Sequence, residues 1–191
     1  PYQIPAQTHR IETEVARSRF IATVAPAPST AEAKAFLTKI RDEMPDASHH
    51  VYAYRVGFGN TVTESMSDDG EPSGTAGPPI LSILRGSDIG DIIVVVTRYF
   101  GGTKLGTGGL VRAYSEVTNI ALNSLETTMK IEKRLLGIET PYNLYEQVKI
   151  LVKTHEGEIQ DESFTVDVMI LAKFPVYNID ALSKELLDLS A

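Results

Sequence analysis

The spacing of apolar residues changes several times along the chain, and each change predicts a different element of structure. Apolar and polar residues alternate in two short runs within residues 10–25, which predicts two β-strands. Over residues 30–44 the apolar positions recur every three or four residues, the spacing of an amphipathic helix. Alternation returns in residues 50–58 and 61–67 and predicts a hairpin with a Gly-Asn turn. An uninterrupted apolar run within residues 91–99 predicts a buried strand.

Two helices are predicted around that buried strand. The short one begins at Pro78, because proline suits the first helical position, and ends near Arg85. The long one covers residues 110–129 and carries one apolar face, formed by Leu110, Ala113, Tyr114, Val117, Ala121 and Leu125. Between the strand and the long helix, residues 101–109 hold five glycines in nine positions, and we expect no regular structure there.

The last third of the chain predicts a second domain, so we divide the sequence into residues 1–132 and 133–191. The predicted order of strand, helix, strand, strand and helix suits helices packed on one face of an antiparallel sheet. A hairpin turn is predicted around Asp161-Glu162. The alternation from Thr165 to Phe174 places Val166 on the buried face of the final strand. Both domains mix helices with strands, and the predicted class is α+β.

Composition and charge exclude several functions. The 191 residues carry 18 basic and 25 acidic side chains, a net charge of −7 that excludes a global basic surface for nucleic acid. The chain has no cysteine, which excludes a thiol nucleophile and a cysteine-ligated zinc. We expect a cytoplasmic protein without a membrane partner, since no apolar run is long enough to span a bilayer and no signal peptide opens the chain. The acidic excess is concentrated after Lys130, so an anion-binding surface is expected before it.

One polar loop, residues 67–77, concentrates three carboxylates within four positions, at Asp68, Asp69 and Glu71. Carboxylate oxygens are ligands that Mg²⁺ and Ca²⁺ prefer, although the spacing differs from that of a calcium-binding loop. The alternative is structural. In that interpretation the aspartates bond to nearby backbone groups in Asx-turns, and the glycines of the loop supply positive φ angles.

A second loop follows the buried strand and leads into the long helix. No acidic residue occurs from Ile92 to Tyr114, and glycines there expose backbone N–H groups close to the positive end of a helix dipole. The segment contains neither a Walker sequence nor a dinucleotide-binding fingerprint, which makes a nucleotide hydrolase a weak hypothesis. The candidate anion- or nucleic-acid-binding residues are Arg98, Gly101, Gly102, Lys104, Gly106, Gly108, Gly109 and Arg112.

The cations of the glycine-rich segment also have an alternative, structural interpretation. If the two loops pack together, Arg98, Lys104 and Arg112 neutralise the carboxylates of the acidic loop. His49 and His50 open a predicted strand, where neighbouring side chains point to opposite faces, so at most one of them serves a given site. Four aromatic residues are candidates either for base stacking or for the core: Tyr52, Tyr54, Tyr99 and Phe100. No catalytic constellation emerges.

The two loops together resemble the signature of the IMPACT/YigZ family of uncharacterised proteins. The residues that carry the resemblance are Asp68–Gly77 and Val96–Tyr114, supported by Ser18–Ile21 and Pro45–His49. The resemblance implies a ribosomal-protein-S5-domain-2-like first domain and a small ferredoxin-like second domain. It also implies a connection with translation, because eukaryotic members are linked to translational control. The two-domain layout resembles the bacterial branch of the family.

We therefore expect a non-enzymatic protein that regulates translation by binding RNA, the ribosome or a translation factor, with no cofactor. The alternative is a metal- or phosphate-dependent enzyme with its site where the two loops meet. In that alternative, Asp68, Asp69 and Glu71 hold Mg²⁺ while Lys104 and Arg112 orient a phosphate.

Overall fold

The computed structural model describes residues 1–190 and divides into two compact units, Tyr2–Lys130 and residues 131–190. Both units contain helices and strands, which confirms the predicted mixed class. Within residues 1–190, no helix has the length and apolar composition required to cross a membrane.

The first unit is built on a five-stranded antiparallel sheet with the strand order β2-β3-β6-β4-β5, and a separate two-stranded ribbon pairs β1 with β7. Its strands are β1 (Tyr2–Pro5), β2 (His9–Val15), β3 (Ser18–Pro26), β4 (His49–Val56), β5 (Thr63–Ser67), β6 (Ile92–Tyr99) and β7 (Thr127–Lys130). Its helices are α1 (Thr30–Glu43), α2 (Gly77–Gly86) and α3 (Gly106–Asn123). The two alternating runs predicted within residues 10–25 are β2 and β3.

The apolar run of β6 is explained by its position at the centre of the sheet, where both faces are covered. Residues 92–96 are fully buried. Ile92, Val94 and Val96 pack in the cluster that contains α2 and α3, whereas Ile93 and Val95 pack against α1. The prediction of a buried strand is confirmed. Near the end of the strand Thr97 and Arg98 are still buried, and Arg98 contacts Glu71 of the acidic loop.

Asp91, directly before β6, joins the small ribbon to the main sheet. Its carboxylate accepts hydrogen bonds from the Tyr2 hydroxyl at 2.8 Å, from the Gly57 N–H at 2.7 Å and from the Lys130 ammonium. Burial opposes ionisation of Asp91, but these donors outweigh it, and the pKa of Asp91 is lower than its usual value. The carboxylate therefore links the first strand of this unit with its last.

The second unit packs two helices on a three-stranded antiparallel sheet of order β8-β10-β9. Its elements are β8 (Lys133–Thr140), α4 (Tyr145–Thr154), β9 (Glu158–Phe164), β10 (Val168–Pro175), a 3₁₀ turn (Val176–Asn178) and α5 (Ile179–Ser190). Val148 and Val152 of α4 and Leu182 of α5 meet Ile170 and Phe174 in one buried cluster. The predicted order of elements is confirmed.

The predicted bounds of the long helix were wrong at both ends. The helix begins at Gly106, so four residues of the glycine run form its first turn rather than irregular structure. It ends at Asn123, because Thr127–Lys130 leave the helical path and pair with Tyr2–Pro5. A partner so distant in the sequence cannot be inferred from local spacing.

The predicted hairpin turn at Asp161-Glu162 was also wrong. Both residues lie inside β9 and face Leu171 and Ile170 of β10. The turn lies at residues 165–167, where the Thr165 N–H donates to the Asp167 carbonyl oxygen at 3.1 Å. Val166 stands in this turn and is 89% exposed, not buried as predicted. The predicted alternation begins two residues too early in the chain, since the buried face of the strand begins at Val168.

We expect Gly101→Ala to destabilise the first unit by about 1–3 kcal/mol, the usual cost of overpacking. A Cβ at this position would lie 2.1 Å from the backbone carbon of Arg17. The matched control is Gly108→Ala, because a Cβ there meets nothing within 4 Å. Urea unfolding of both variants checks this prediction. Equal stability of the two variants would contradict the close backbone contact at Gly101.

Candidate functional site

The acidic loop and the glycine-rich segment meet at a cleft of about 360 Å³ beside the N-terminus of α3. The meeting of the two loops was an open alternative in the sequence, and it is observed. The cleft is lined by His49, Glu71, Pro72, Arg98, Phe100, Lys104, Leu105, Gly106, Thr107 and Leu110.

Strand register brings two basic residues of the cleft, Arg98 and His49, next to each other. Phe20 of β3 lies opposite Arg98 of β6, which in turn lies opposite His49 of β4. Residues directly opposite each other in neighbouring strands share a face of the sheet, so these three side chains lie on the α3 side. Their sequence neighbours Thr97 and His50 lie on the other face and hydrogen-bond to each other at 3.1 Å.

A buried ion pair forms the base of the cleft. The Arg98 Nη1 donates to the Glu71 Oε1 at 2.6 Å, and the residues are only 4% and 7% exposed. The Tyr114 hydroxyl donates to the same carboxylate oxygen at 2.7 Å. The Arg98 Nη2 donates to the Ser18 Oγ at 3.2 Å. Burial, followed by the charge of Glu71, raises the pKa of Tyr114 far above its usual value, so this hydroxyl is a donor and not a nucleophile.

The other two acidic side chains of the loop have structural partners. Asp68 accepts hydrogen bonds from the N–H groups of Ala76 and Gly77 at 3.0 and 2.9 Å and thereby caps α2. Asp69 accepts the His50 N–H at 2.7 Å. Across residues 1–190, no group of three or more histidine or acidic side chains is arranged to hold a metal ion. The structural interpretation of the acidic loop is the one that these contacts support.

Only one of the three predicted charge pairs forms. Arg98 pairs with Glu71, whereas neither Lys104 nor Arg112 makes an ion pair with another described residue. Lys104 lines the cleft, but Arg112 lies on a different groove of α3 beside Ser115. The three cations therefore have three different roles: one is structural, one faces the cleft, and one lies elsewhere on the surface.

The N-terminus of α3 supplies backbone donors beside Lys104. No side chain caps this helix at Leu105, and Gly106 and Thr107 line the cleft. The first N–H groups of a helix have no acceptor within the helix, and its dipole places partial positive charge there. An uncapped N-terminus next to an ammonium group is suited to a phosphate or carboxylate.

The five candidate glycines differ in what they contribute. Gly101 packs against the backbone of Arg17 and donates its N–H to the Ser18 Oγ at 3.2 Å. Gly102 and Gly106 have φ angles of +87° and +72°, which favour glycine. Gly108 and Gly109 do not line the cleft. Three of the five glycines thus shape the loop and the entry into α3.

The two neighbouring histidines are separated as expected. His49 borders the cleft, and its Nδ1 donates to the Asp69 carbonyl oxygen at 2.7 Å. Its Nε2 is 3.7 Å from the Glu71 Oε2. His50 is buried on the opposite face, where its Nε2 donates to the Met44 carbonyl oxygen at 2.9 Å. His50 is therefore a structural histidine.

Two residues of the site, Tyr114 and Ser18, were not among the residues predicted to form it. Tyr114 was assigned to the apolar face of the long helix, although a buried tyrosine hydroxyl normally requires a hydrogen-bond partner. That requirement, together with the nearby charged loops, is the signal that could have identified it. Ser18 is fully buried and bonds to Arg98 and Gly101, a role that depends on strand register.

The chain belongs to the IMPACT family. The model of the Impact N-terminal domain matches residues 16–122, more than half of the chain. An IMPACT family member of Haemophilus influenzae is 38% identical over 191 residues, covering 100% of this chain and 93% of the relative. The IMPACT family member YigZ of Escherichia coli is 37% identical, with coverage of 98% and 92%. A crystal structure of a hypothetical protein aligns with a TM-score of 0.74 at 37% identity, covering 99% of this chain and 92% of the other.

We expect Glu71→Gln to destabilise the first unit by about 3 kcal/mol or more, since it leaves the Arg98 charge buried without its partner. Tyr114→Phe removes a single hydrogen bond and keeps the ion pair, so its expected cost is about 1–2 kcal/mol. Urea unfolding of both variants measures the difference. A cost for Glu71→Gln no larger than that for Tyr114→Phe would show that the pair is not the dominant contact.

Stability is expected to fall as the pH is lowered below about 6.5, partly because of His50. Burial is the main cause that lowers the pKa of His50 from its ordinary 6.5. Just below pH 6.5 His50 binds a proton in the unfolded chain but not in the folded protein. The contribution of His50 to the free energy of unfolding is therefore present above pH 6.5 and is lost as the pH falls. In His50→Gln the side-chain amide can still donate to Met44 but does not titrate. Unfolding measured between about pH 7.5 and pH 5.5 should depend less on pH in this variant; an unchanged slope would contradict the assignment.

Proposed function

We propose that this chain is a cytoplasmic, non-enzymatic binding protein that regulates translation by holding an RNA phosphate in the cleft beside α3. The observation that carries the proposal is the combination of Lys104 with the uncapped N-terminus of α3. Glu71 is the one carboxylate among the lining residues, and Arg98 neutralises it. The positive field of the amides and of Lys104 is therefore not cancelled within the cleft.

The glycine-rich segment has three cations, but we propose that only one of them, Lys104, contacts phosphate in the cleft. Arg98 supports the cleft through Glu71 and Ser18, so it is a positioning residue. Lys104 and the first amides of α3 are the groups proposed to contact the ligand. Arg112 would contact only a ligand long enough to reach a second groove. Few contacts imply weak binding with a shallow salt dependence.

The connection with translation comes from family membership. The IMPACT family resemblance implies translational control for its eukaryotic members, and this chain carries the Impact N-terminal domain. A phosphate-binding cleft is chemically consistent with that role, because RNA presents phosphates at every nucleotide of the ribosome and its substrates. The competing hypothesis for the same role is that the protein binds a translation factor through a protein–protein contact.

The enzyme alternative has no observation in its favour. Each carboxylate proposed to hold Mg²⁺ has a separate structural partner: backbone amides for Asp68, the His50 amide for Asp69, and Arg98 for Glu71. The raised pKa of Tyr114 removes its hydroxyl, which bonds to Glu71, as a nucleophile.

We expect the protein to bind a labelled single-stranded RNA, and Lys104→Ala to weaken that binding several-fold. The log–log salt dependence should have a slope of about −0.7 for each phosphate neutralised, and Lys104→Ala should make it shallower by about that amount. Fluorescence anisotropy at several salt concentrations measures both quantities. Lys39→Ala is the matched control, since Lys39 is an exposed lysine on α1 away from the cleft.

Equal weakening by Lys104→Ala and Lys39→Ala would contradict a local site, as would binding that is independent of salt. Co-sedimentation with ribosomes is a second experiment, which distinguishes binding to RNA from binding to a ribosomal protein or factor. If the protein sediments with ribosomes but binds no free RNA, and Lys104→Ala has no effect, a protein contact would replace the proposed phosphate contact.

A further inference from the structure

An exposed aromatic ring borders the cleft at a fixed position. Phe100 follows β6 directly and is 49% exposed, although it lines the cleft with Lys104 and Thr107. Its own N–H donates to the Ser48 Oγ at 3.0 Å, and the next N–H, that of Gly101, donates to the Ser18 Oγ. Two consecutive hydrogen bonds therefore fix the backbone that carries the ring, while about half of the residue is exposed to solvent.

The protein side of this ring is occupied by a cation. The guanidinium carbon of Arg98 lies 5.5 Å from the centre of the Phe100 ring and 5.4 Å from the centre of the Phe20 ring. Arg98 is buried, and its Nε has no hydrogen-bond partner among the described residues. A desolvated cation beneath an aromatic ring stabilises the ring in that position. Phe100 thus packs on the Arg98 cation and remains 49% exposed.

A ring of this kind is suited to stacking against a nucleic-acid base. Bases stack on exposed aromatic side chains without regard to sequence, because every base has a π-face. A paired base within a duplex is already stacked on both sides, so only an unpaired base can reach such a ring. The cleft volume of about 360 Å³ lies near the lower end of the range for small-molecule sites, roughly 300–1,000 Å³, which suits a single nucleotide.

We infer that the cleft binds one unpaired nucleotide, with its base stacked on Phe100 and its phosphate at Lys104 and the first amides of α3. This inference rests on the proposed function and makes it specific, because it selects single-stranded over double-stranded RNA. Phosphate binding alone requires Lys104 and the helix N-terminus. Discrimination between an unpaired nucleotide and an inorganic phosphate requires Phe100.

The test uses the absence of tryptophan from the chain. Phe100→Trp places a single indole at the cleft, and Phe164→Trp places one at a similarly exposed phenylalanine, 55% exposed, in the second unit. An oligouridylate should quench the fluorescence of Phe100→Trp and leave that of Phe164→Trp unchanged. Tripolyphosphate should compete with the oligouridylate but should not itself quench. Quenching of both variants, or of neither, would overturn the inference.

Anisotropy with the same oligouridylate separates the two proposals. Phe100→Ala should weaken binding at least about fivefold, the lower end of the effect of removing one stacking ring, and Phe100→Trp should retain it. A matched RNA duplex should bind more weakly than the single strand. If Lys104→Ala weakens binding and Phe100→Ala does not, the phosphate site stands and the stacking inference fails. If the folded wild-type protein binds no RNA, both fail.

Discussion

The buried ion pair between Arg98 and Glu71 is the contact on which the rest of the site depends. It joins the end of the central strand to the acidic loop, and through the Tyr114 hydroxyl it also holds α3. Removal of either charge leaves the other buried without a partner, which costs far more than loss of an exposed pair. The pair therefore makes the cleft a pre-formed feature of the fold, with Lys104 and the N-terminus of α3 at its edge.

Because Arg98 pairs with Glu71, the glycine-rich segment is less positive than its sequence suggests. Three cations without acidic neighbours in the sequence indicate a strongly positive loop, but one of them neutralises Glu71 and another lies on a separate groove. What remains is a local site with one ammonium, several backbone donors and one exposed aromatic ring, Phe100. The site that we propose would distinguish ligands by shape and stacking as much as by charge.

Much of the fold could be predicted from local patterns, because the patterns reflect burial. The apolar run of β6 identifies the strand covered on both faces, and the order of elements in the second unit follows from alternation and helical spacing. Long-range pairing could not be predicted. The β-branched Thr127 and Thr128 favour a strand, but no local pattern identifies β1 as its partner. The three cations of the glycine-rich segment could not be distinguished without the register that sets Arg98 beside Phe20 and His49.

The most direct test of the central claim, a pre-formed cleft that takes one unpaired nucleotide, is an NMR titration of the ¹⁵N-labelled protein with a short oligouridylate. We expect the amide signals that shift to be those of Phe100 and Lys104–Thr107, with Glu71 and its neighbours little changed because the ion pair is already formed. Signals of residues 145–190 should not move. Shifts confined to the second unit, or no shifts at saturating oligouridylate, would contradict the claim.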